Sequence, residues 1–136
     1  MSGRIAAVLV GLEGLGIAAL TVREIVAIAS GDTGSIESAI ALAVLTLVGA
    51  TAVIAFAFAI WRGQSWGRSG GIVTQLLILA VAFGAATGAF ADPALGLALA
   101  VPALVVLVLL LIAVRDAGRA ARRQRDEDAG RHAPGA

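Results

Sequence analysis

Long apolar stretches alternate with short polar segments along this chain. Four stretches, at about 5–28, 36–61, 71–91 and 94–114, consist almost entirely of apolar and small residues. A transmembrane helix needs roughly 20 such residues to cross the hydrocarbon core of a bilayer, and each stretch is long enough. The pattern predicts an all-α, polytopic membrane protein whose four transmembrane helices form two antiparallel hairpins within residues 1–115.

The polar segments predict where the chain turns. Small and polar residues at 30–35 are typical of a turn, and Glu37 suits the positive end of the second helix. Asp92 can cap the fourth helix, and Pro93 can occupy its first position. Segment 61–70 contains two tryptophans and two arginines, which indicates a longer loop at the level of the lipid headgroups.

Composition supports the membrane assignment. Sixty per cent of the 136 residues are apolar, which is more than a soluble domain of this size could bury. The apolar surface is therefore expected to face lipid. The first stretch also resembles a cleavable signal peptide in its outline, but Glu13 within it and the charged pair Arg23 and Glu24 favour a retained helix.

The basic residues predict orientation. All ten are arginines, and six of them lie at or beyond Arg115. By the positive-inside rule, both termini and segment 61–70 should be cytoplasmic in a cell (inner) membrane, with Arg23 as the exception. Residues 116–136 are expected to form a basic, largely disordered cytoplasmic tail, in which 115–125 could extend the fourth helix and the last ten or so residues are disordered. Several arginines either orient the chain or contact anionic lipid headgroups: Arg62, Arg68, Arg115, Arg119, Arg122 and Arg123.

Glu13 is the most informative polar residue, because a carboxylate at bilayer depth is costly and usually faces protein or water. It lies nine residues beyond Arg4, or about 13 Å along a helix. Thr51 on the second helix should lie at a similar depth, so we expect Thr51 to be its hydrogen-bond partner. Two interpretations stay open: a hydrogen-bonded residue that joins helices, or a carboxylate that binds protons or cations.

Glycines are candidates for close helix packing. In lipid, helices associate through small residues that let their backbones approach. Gly11, Gly14 and Gly16 on the first helix, and Gly84 and Gly88 on the third, are predicted to serve this purpose. The contacts could lie within one chain or between two copies.

The sequence contains few of the residue types that carry out catalysis. The sequence has no cysteine, lysine or tyrosine, and its one histidine is His132 in the tail. A membrane-embedded metal, haem or serine-type site is therefore not expected, so we predict no enzyme activity, no cofactor and no metal. The expected partners are the lipid bilayer, anionic headgroups, and a second copy or another membrane protein, but not nucleic acid.

A short four-helix chain with Glu13 in its first helix resembles the small multidrug resistance transporters. This resemblance implies a carboxylate that exchanges protons for a cationic substrate. Glu13, segment 61–68 leading to Thr74-Gln75-Leu76-Leu77, the lysine-free composition and the basic tail more closely resemble small four-helix integral membrane proteins of actinobacteria. That second resemblance implies the architecture and no particular activity. We expect a structural or accessory membrane component, with a proton-coupled transporter using Glu13 as the alternative.

Overall fold

The structure, a computed structural model, describes residues 2–88 and 91–132. This part of the chain forms four helices: α1 (Ser2–Ala29), α2 (Ile36–Trp61), α3 (Ser65–Thr87) and α4 (Pro93–His132). Each helix is long and apolar enough to cross a membrane. The prediction of an all-α, four-helix membrane protein is confirmed.

The predicted starts of α2 and α4 are confirmed, and Ser35 caps α2 in addition. The Oγ atom of Ser35 accepts a hydrogen bond from the backbone N–H of Ser38 at 3.4 Å, and Glu37 lies in the first turn of α2. The Oδ1 atom of Asp92 accepts hydrogen bonds from the backbone N–H groups of Ala94 and Leu95, at 3.0 and 3.1 Å. Asp92 therefore caps α4, which begins at Pro93 as predicted.

Segment 61–70 differs from the predicted loop. α2 continues to Trp61 and α3 begins at Ser65, so the connection is only three residues long. Gly63 has φ of 75°, a left-handed conformation that lets the chain reverse there. As a result α3 begins before the predicted span 71–91, and it ends at Thr87.

The tail agrees with expectation only in part. Residues 116–132 continue α4 as a helix, so the expected extension over 115–125 is present, whereas the described part of the last ten or so residues is helical and not disordered; residues 133–136 lie outside the described part. Alanine, arginine and glutamine favour helix, and Asp116 and Arg119 form an ion pair at 3.7 Å one turn apart. Residues 118–131 are exposed, so this extension packs on no core.

The four helices pack as two hairpins, α1 with α2 and α3 with α4. The buried core is built from small and branched apolar residues contributed by α1, α2 and α4: Ala6, Ala7, Val10, Val53, Ala57, Ile60, Val106 and Leu110. Many large apolar side chains point outward instead, and Phe83 is 71% exposed and Leu45 69%. Such a surface is stable only against lipid, which supports a multi-pass membrane protein.

The helices place Arg4, Arg62, Arg68 and Arg115 at one end of the bundle, which we call the arginine-rich end. The connection 30–35, the end of α3 and the start of α4 lie at the opposite end. The bundle is accordingly divided into an arginine-rich half and an opposite half, with Glu13 near their boundary.

Of the five glycines predicted to bring helices together, two lie close to another helix in the described part of the chain. A Cβ atom on Gly14 would lie 2.7 Å from Cγ1 of Ile54, and one on Gly11 would lie 3.7 Å from Cβ of Ala57. These two glycines do bring α1 and α2 together. Among the described residues, a Cβ atom on Gly16 or Gly84 would meet no atom within 4 Å, and one on Gly88 would meet only Gly84 on the preceding turn, so these three do not join helices within this part of the chain. A contact between two copies stays a prediction for them.

Candidate functional site

Glu13 forms its hydrogen bond across the bundle. The Nε2 atom of Gln75 donates to Oε2 of Glu13 at 2.6 Å, which joins α1 of one hairpin to α3 of the other. Gln75 is fully buried, while Glu13 is half-buried. Gln75 is ten residues from the start of α3, about 15 Å along the helix, so the two side chains meet near mid-bilayer depth.

The expected partner of Glu13 is corrected by this contact. The hydroxyl of Thr51 donates to the backbone carbonyl of Leu47 on its own helix at 2.8 Å, and Thr51 is exposed. A threonine can satisfy its hydroxyl on the preceding turn of its helix, so it need not reach another helix. Depth alone predicted Thr51, whereas the rotation of α2 about its axis turns that side chain away.

The amide of Gln75 is only partly satisfied. Within the described residues, its Oε1 atom is buried and has no hydrogen-bond partner. A buried polar atom without a partner costs about 1–3 kcal/mol. A protonated carboxyl carries one O–H donor, so a protonated Glu13 could bond to this oxygen and complete a reciprocal acid and amide pair.

Glu13 also lines a groove of about 390 Å³ between α1 and α4. Leu9 and Leu12 form one wall, and Pro102, Val105 and Val106 form the other. Pro102 lies inside α4, where it cannot donate a backbone hydrogen bond. The carboxyl therefore faces Gln75 on one side and an almost wholly apolar groove on the other. This arrangement can hold a proton or a hydrogen bond, but it presents few further ligands for a cation.

α1 carries a second hydrogen-bonded carboxylate. The hydroxyl of Thr46 donates to Oε2 of Glu24 at 2.6 Å, and Thr46 also lies 3.0 Å from the carbonyl of Leu42 on its own helix. Glu24 is eleven residues beyond Glu13, about 16 Å along α1, and so lies in the opposite half. This bond lies within the first hairpin, whereas the bond between Glu13 and Gln75 connects the two hairpins.

The hairpins separate along α2 and α3. An apolar cleft of about 670 Å³ opens between these helices, and Ser69 and Thr74 supply its polar side chains. Gly49 and Ala52 line it on α2, and Val81 lines it on α3. The bundle is therefore not closed on this side. In a membrane, lipid or another helix would fill the cleft.

The candidate arginines lie at the arginine-rich end and along the extension of α4. Arg62 places its guanidinium 4.3 Å from the ring centre of Phe58, and Nη1 of Arg68 donates to the carbonyl of Gly63 at 2.8 Å. Arg119 pairs with Asp116, while Arg115, Arg122 and Arg123 are exposed. The structure does not bring these six arginines together as one patch.

Gln75 was missed as the partner of Glu13, although a signal for it exists. Of the three glutamines in the chain, it is the one that lies within a predicted membrane span. A side-chain amide inside an apolar stretch needs a partner as much as a carboxylate does. Pairing the two strongest polar groups at similar depth would have pointed to Gln75.

Comparisons with protein families, with characterised proteins and with solved structures found no match to this chain. The two resemblances drawn from the sequence therefore stay hypotheses, and any functional argument rests on the geometry of the chain itself.

Proposed function

We propose that this chain is a non-catalytic integral membrane protein, a structural or accessory component in which the Glu13 and Gln75 pair holds the two hairpins together. The observation that carries the proposal is the 2.6 Å bond from Nε2 of Gln75 to Oε2 of Glu13. The carboxylate near the middle of the first apolar stretch is thereby used as an interhelical contact. Bonds of this kind stabilise helix association in lipid.

The surroundings of the pair favour this role over transport. The groove beside Glu13 is lined by Leu9, Leu12, Pro102, Val105 and Val106, and none of these side chains carries a polar group. A pathway for a cation or a proton ordinarily needs further polar groups or water along it. The apolar cleft between α2 and α3 offers a surface for lipid or for another membrane helix, as an accessory role requires.

Proton-coupled transport is the alternative, and one observation favours it. Oε1 of Gln75 is buried without a partner among the described residues, so the pair would gain a hydrogen bond when Glu13 takes up a proton. A carboxyl that gains a hydrogen bond from its partner when it is protonated is suited to coupling proton uptake to transport. The experiment must therefore separate stability from flux.

The test is a double-mutant cycle on unfolding in mild detergent, using Glu13→Ala, Gln75→Ala and the double variant. We expect a coupling free energy of about 0.6–2 kcal/mol, the range of interhelical hydrogen bonds in membranes. Glu13→Gln should stay folded, because it keeps hydrogen-bonding capacity without an ionisable group. Thr51→Val is the matched control, since its hydroxyl bonds only within α2 as far as the structure describes it.

The same variants decide between the two functions in liposomes. The packing role predicts that wild-type protein and Glu13→Gln dissipate an imposed pH gradient equally slowly. If wild-type protein dissipates the gradient quickly and Glu13→Gln does not, transport replaces the structural role. A coupling energy near zero would remove the hydrogen bond as the basis of the proposal.

We also propose that the arginine-rich end faces the cytoplasm of a cell membrane. Nine of the ten arginines would then lie on the cytoplasmic side, as the positive-inside rule favours. Single cysteines introduced at the exposed residues Ser65 and Asp32 report the two faces, because the chain has no native cysteine. Labelling of Asp32→Cys, and not Ser65→Cys, by an impermeant reagent outside intact cells is expected. The reverse pattern would invert the orientation.

A further inference from the structure

The arginine-rich end contains a cavity of about 400 Å³ to which all four helices contribute. Gly3 and Arg4 of α1 line it together with Ile60 and Trp61 of α2, and Arg68 of α3 and Asp116 of α4 lie at its wall. Arg4 was not among the arginines that the sequence singled out for lipid contact. The fold therefore brings together arginines that are 64 residues apart in the sequence.

The charges of this cavity favour an anion. Two guanidinium groups outnumber the one carboxylate, and Asp116 is itself paired with Arg119 at 3.7 Å. Arg68 donates one N–H group to the carbonyl of Gly63. A guanidinium has five N–H donors, so further donors remain for an anion. Planar guanidinium groups match the oxygens of a phosphate better than an ammonium does.

A second cavity adjoins the first at Arg4 and Trp61, on the side of α1 where Ile5 and Val8 are exposed. It measures about 320 Å³ and is lined by Arg4, Ile5, Val8, Leu9 and Trp61. Arg4 and Trp61 belong to both cavities, and the guanidinium of Arg4 lies 5.6 Å from the centre of the Trp61 ring. A tryptophan in this position is typical of the headgroup level of a bilayer.

A polar cavity beside an apolar groove can accommodate a phospholipid. The charged headgroup would lie in the cavity and an acyl chain in the groove. We propose that this end of the bundle binds one anionic phospholipid, with its phosphate between Arg4 and Arg68 and an acyl chain along Ile5, Val8 and Leu9. The site differs from general attraction to a basic surface because it uses two particular arginines from α1 and α3. It is independent of the role of Glu13.

The test measures lipid binding to the full chain, purified in mild detergent, by native mass spectrometry. One phosphatidylglycerol should bind in preference to phosphatidylcholine. Arg4→Gln/Arg68→Gln should bind phosphatidylglycerol about 25-fold more weakly, since each arginine near an anionic lipid contributes about fivefold. Arg4→Gln alone should cost about fivefold and leaves the bond from Arg68 to Gly63 in place, so it carries the test if the double variant fails to fold.

Arg125→Gln/Arg131→Gln is the matched control, because it removes the same charge from exposed positions of α4 that do not line the cavity and were not singled out for lipid contact. The control should bind phosphatidylglycerol as wild type does, and equal weakening in both double variants would overturn the site in favour of diffuse attraction. Val8→Trp should fill the groove and weaken phosphatidylglycerol binding without changing the folded helix content. If inorganic phosphate displaces the lipid at equal concentration, the site is one for a soluble anion and the lipid assignment fails.

Discussion

In the arginine-rich half a very close helix contact crosses between the two hairpins, whereas the polar and close contacts described in the opposite half lie within a hairpin. In the arginine-rich half, Gly67 lies against Ala59 so closely that an added Cβ atom would be 2.5 Å from the Cβ of Ala59 and 2.8 Å from the nitrogen of Ile60. The cleft of about 670 Å³ lies between the same helices and extends from Ser69 in the arginine-rich half to Val81 in the opposite half. The bond between Glu13 and Gln75 lies near the boundary between the two halves.

In the opposite half, two contacts lie inside the hairpins. Thr46 bonds to Glu24 within the first hairpin, and a Cβ atom on Gly96 would lie 2.8 Å from that of Ala86 within the second. The hairpins therefore approach each other closely near the arginine-rich end, and the cleft between α2 and α3 extends into the other half. A structure of this kind can admit lipid or a partner helix between α2 and α3 without disrupting either hairpin.

Gly67→Ala should produce the largest effect, because the added methyl group would collide with the backbone of α2. Overpacking of this kind typically costs about 1–3 kcal/mol. Unfolding in detergent, followed by circular dichroism, measures the loss. Gly84→Ala is the control, since a Cβ atom there would meet nothing within 4 Å, and it should be neutral or slightly stabilising. Equal effects of the two substitutions would mean that the two halves are not packed differently.

Periodicity and length predicted the helices, while the contacts between them were predicted poorly. Gly67 was assigned to a loop because it follows tryptophan and arginine, yet it lies in α3 and packs on α2. Gly84 begins a glycine-xxx-glycine pattern and nevertheless is exposed. A one-dimensional pattern gives the depth of a residue but not the rotation of its helix. The same limitation explains why Thr51 was chosen for Glu13 instead of Gln75.

Thr46→Val should have a smaller effect than loss of the bond to Gln75. The substitution removes the donor to Glu24 with little change in side-chain volume. Both side chains are half-buried and lie in the opposite half, where the carboxylate is closer to the headgroups and can find other partners. We expect a loss of under about 1 kcal/mol in the same unfolding assay. A loss larger than that of Gln75→Ala would show that the opposite half is held as firmly as the arginine-rich half.

Truncation after Arg125 should have the smallest effect, although it removes part of the longest helix. Residues 118–131 are exposed, and a helix gains most of its stability in proteins from packing of an apolar face, which this extension lacks. Insertion and the free energy of unfolding should therefore change by no more than about 0.5 kcal/mol. Arg115, Arg119, Arg122 and Arg123 remain in the truncated chain, so the charge that orients the last span is kept. A truncated chain that inserts poorly or unfolds early would show that the extension of α4 contributes to one of the two halves after all.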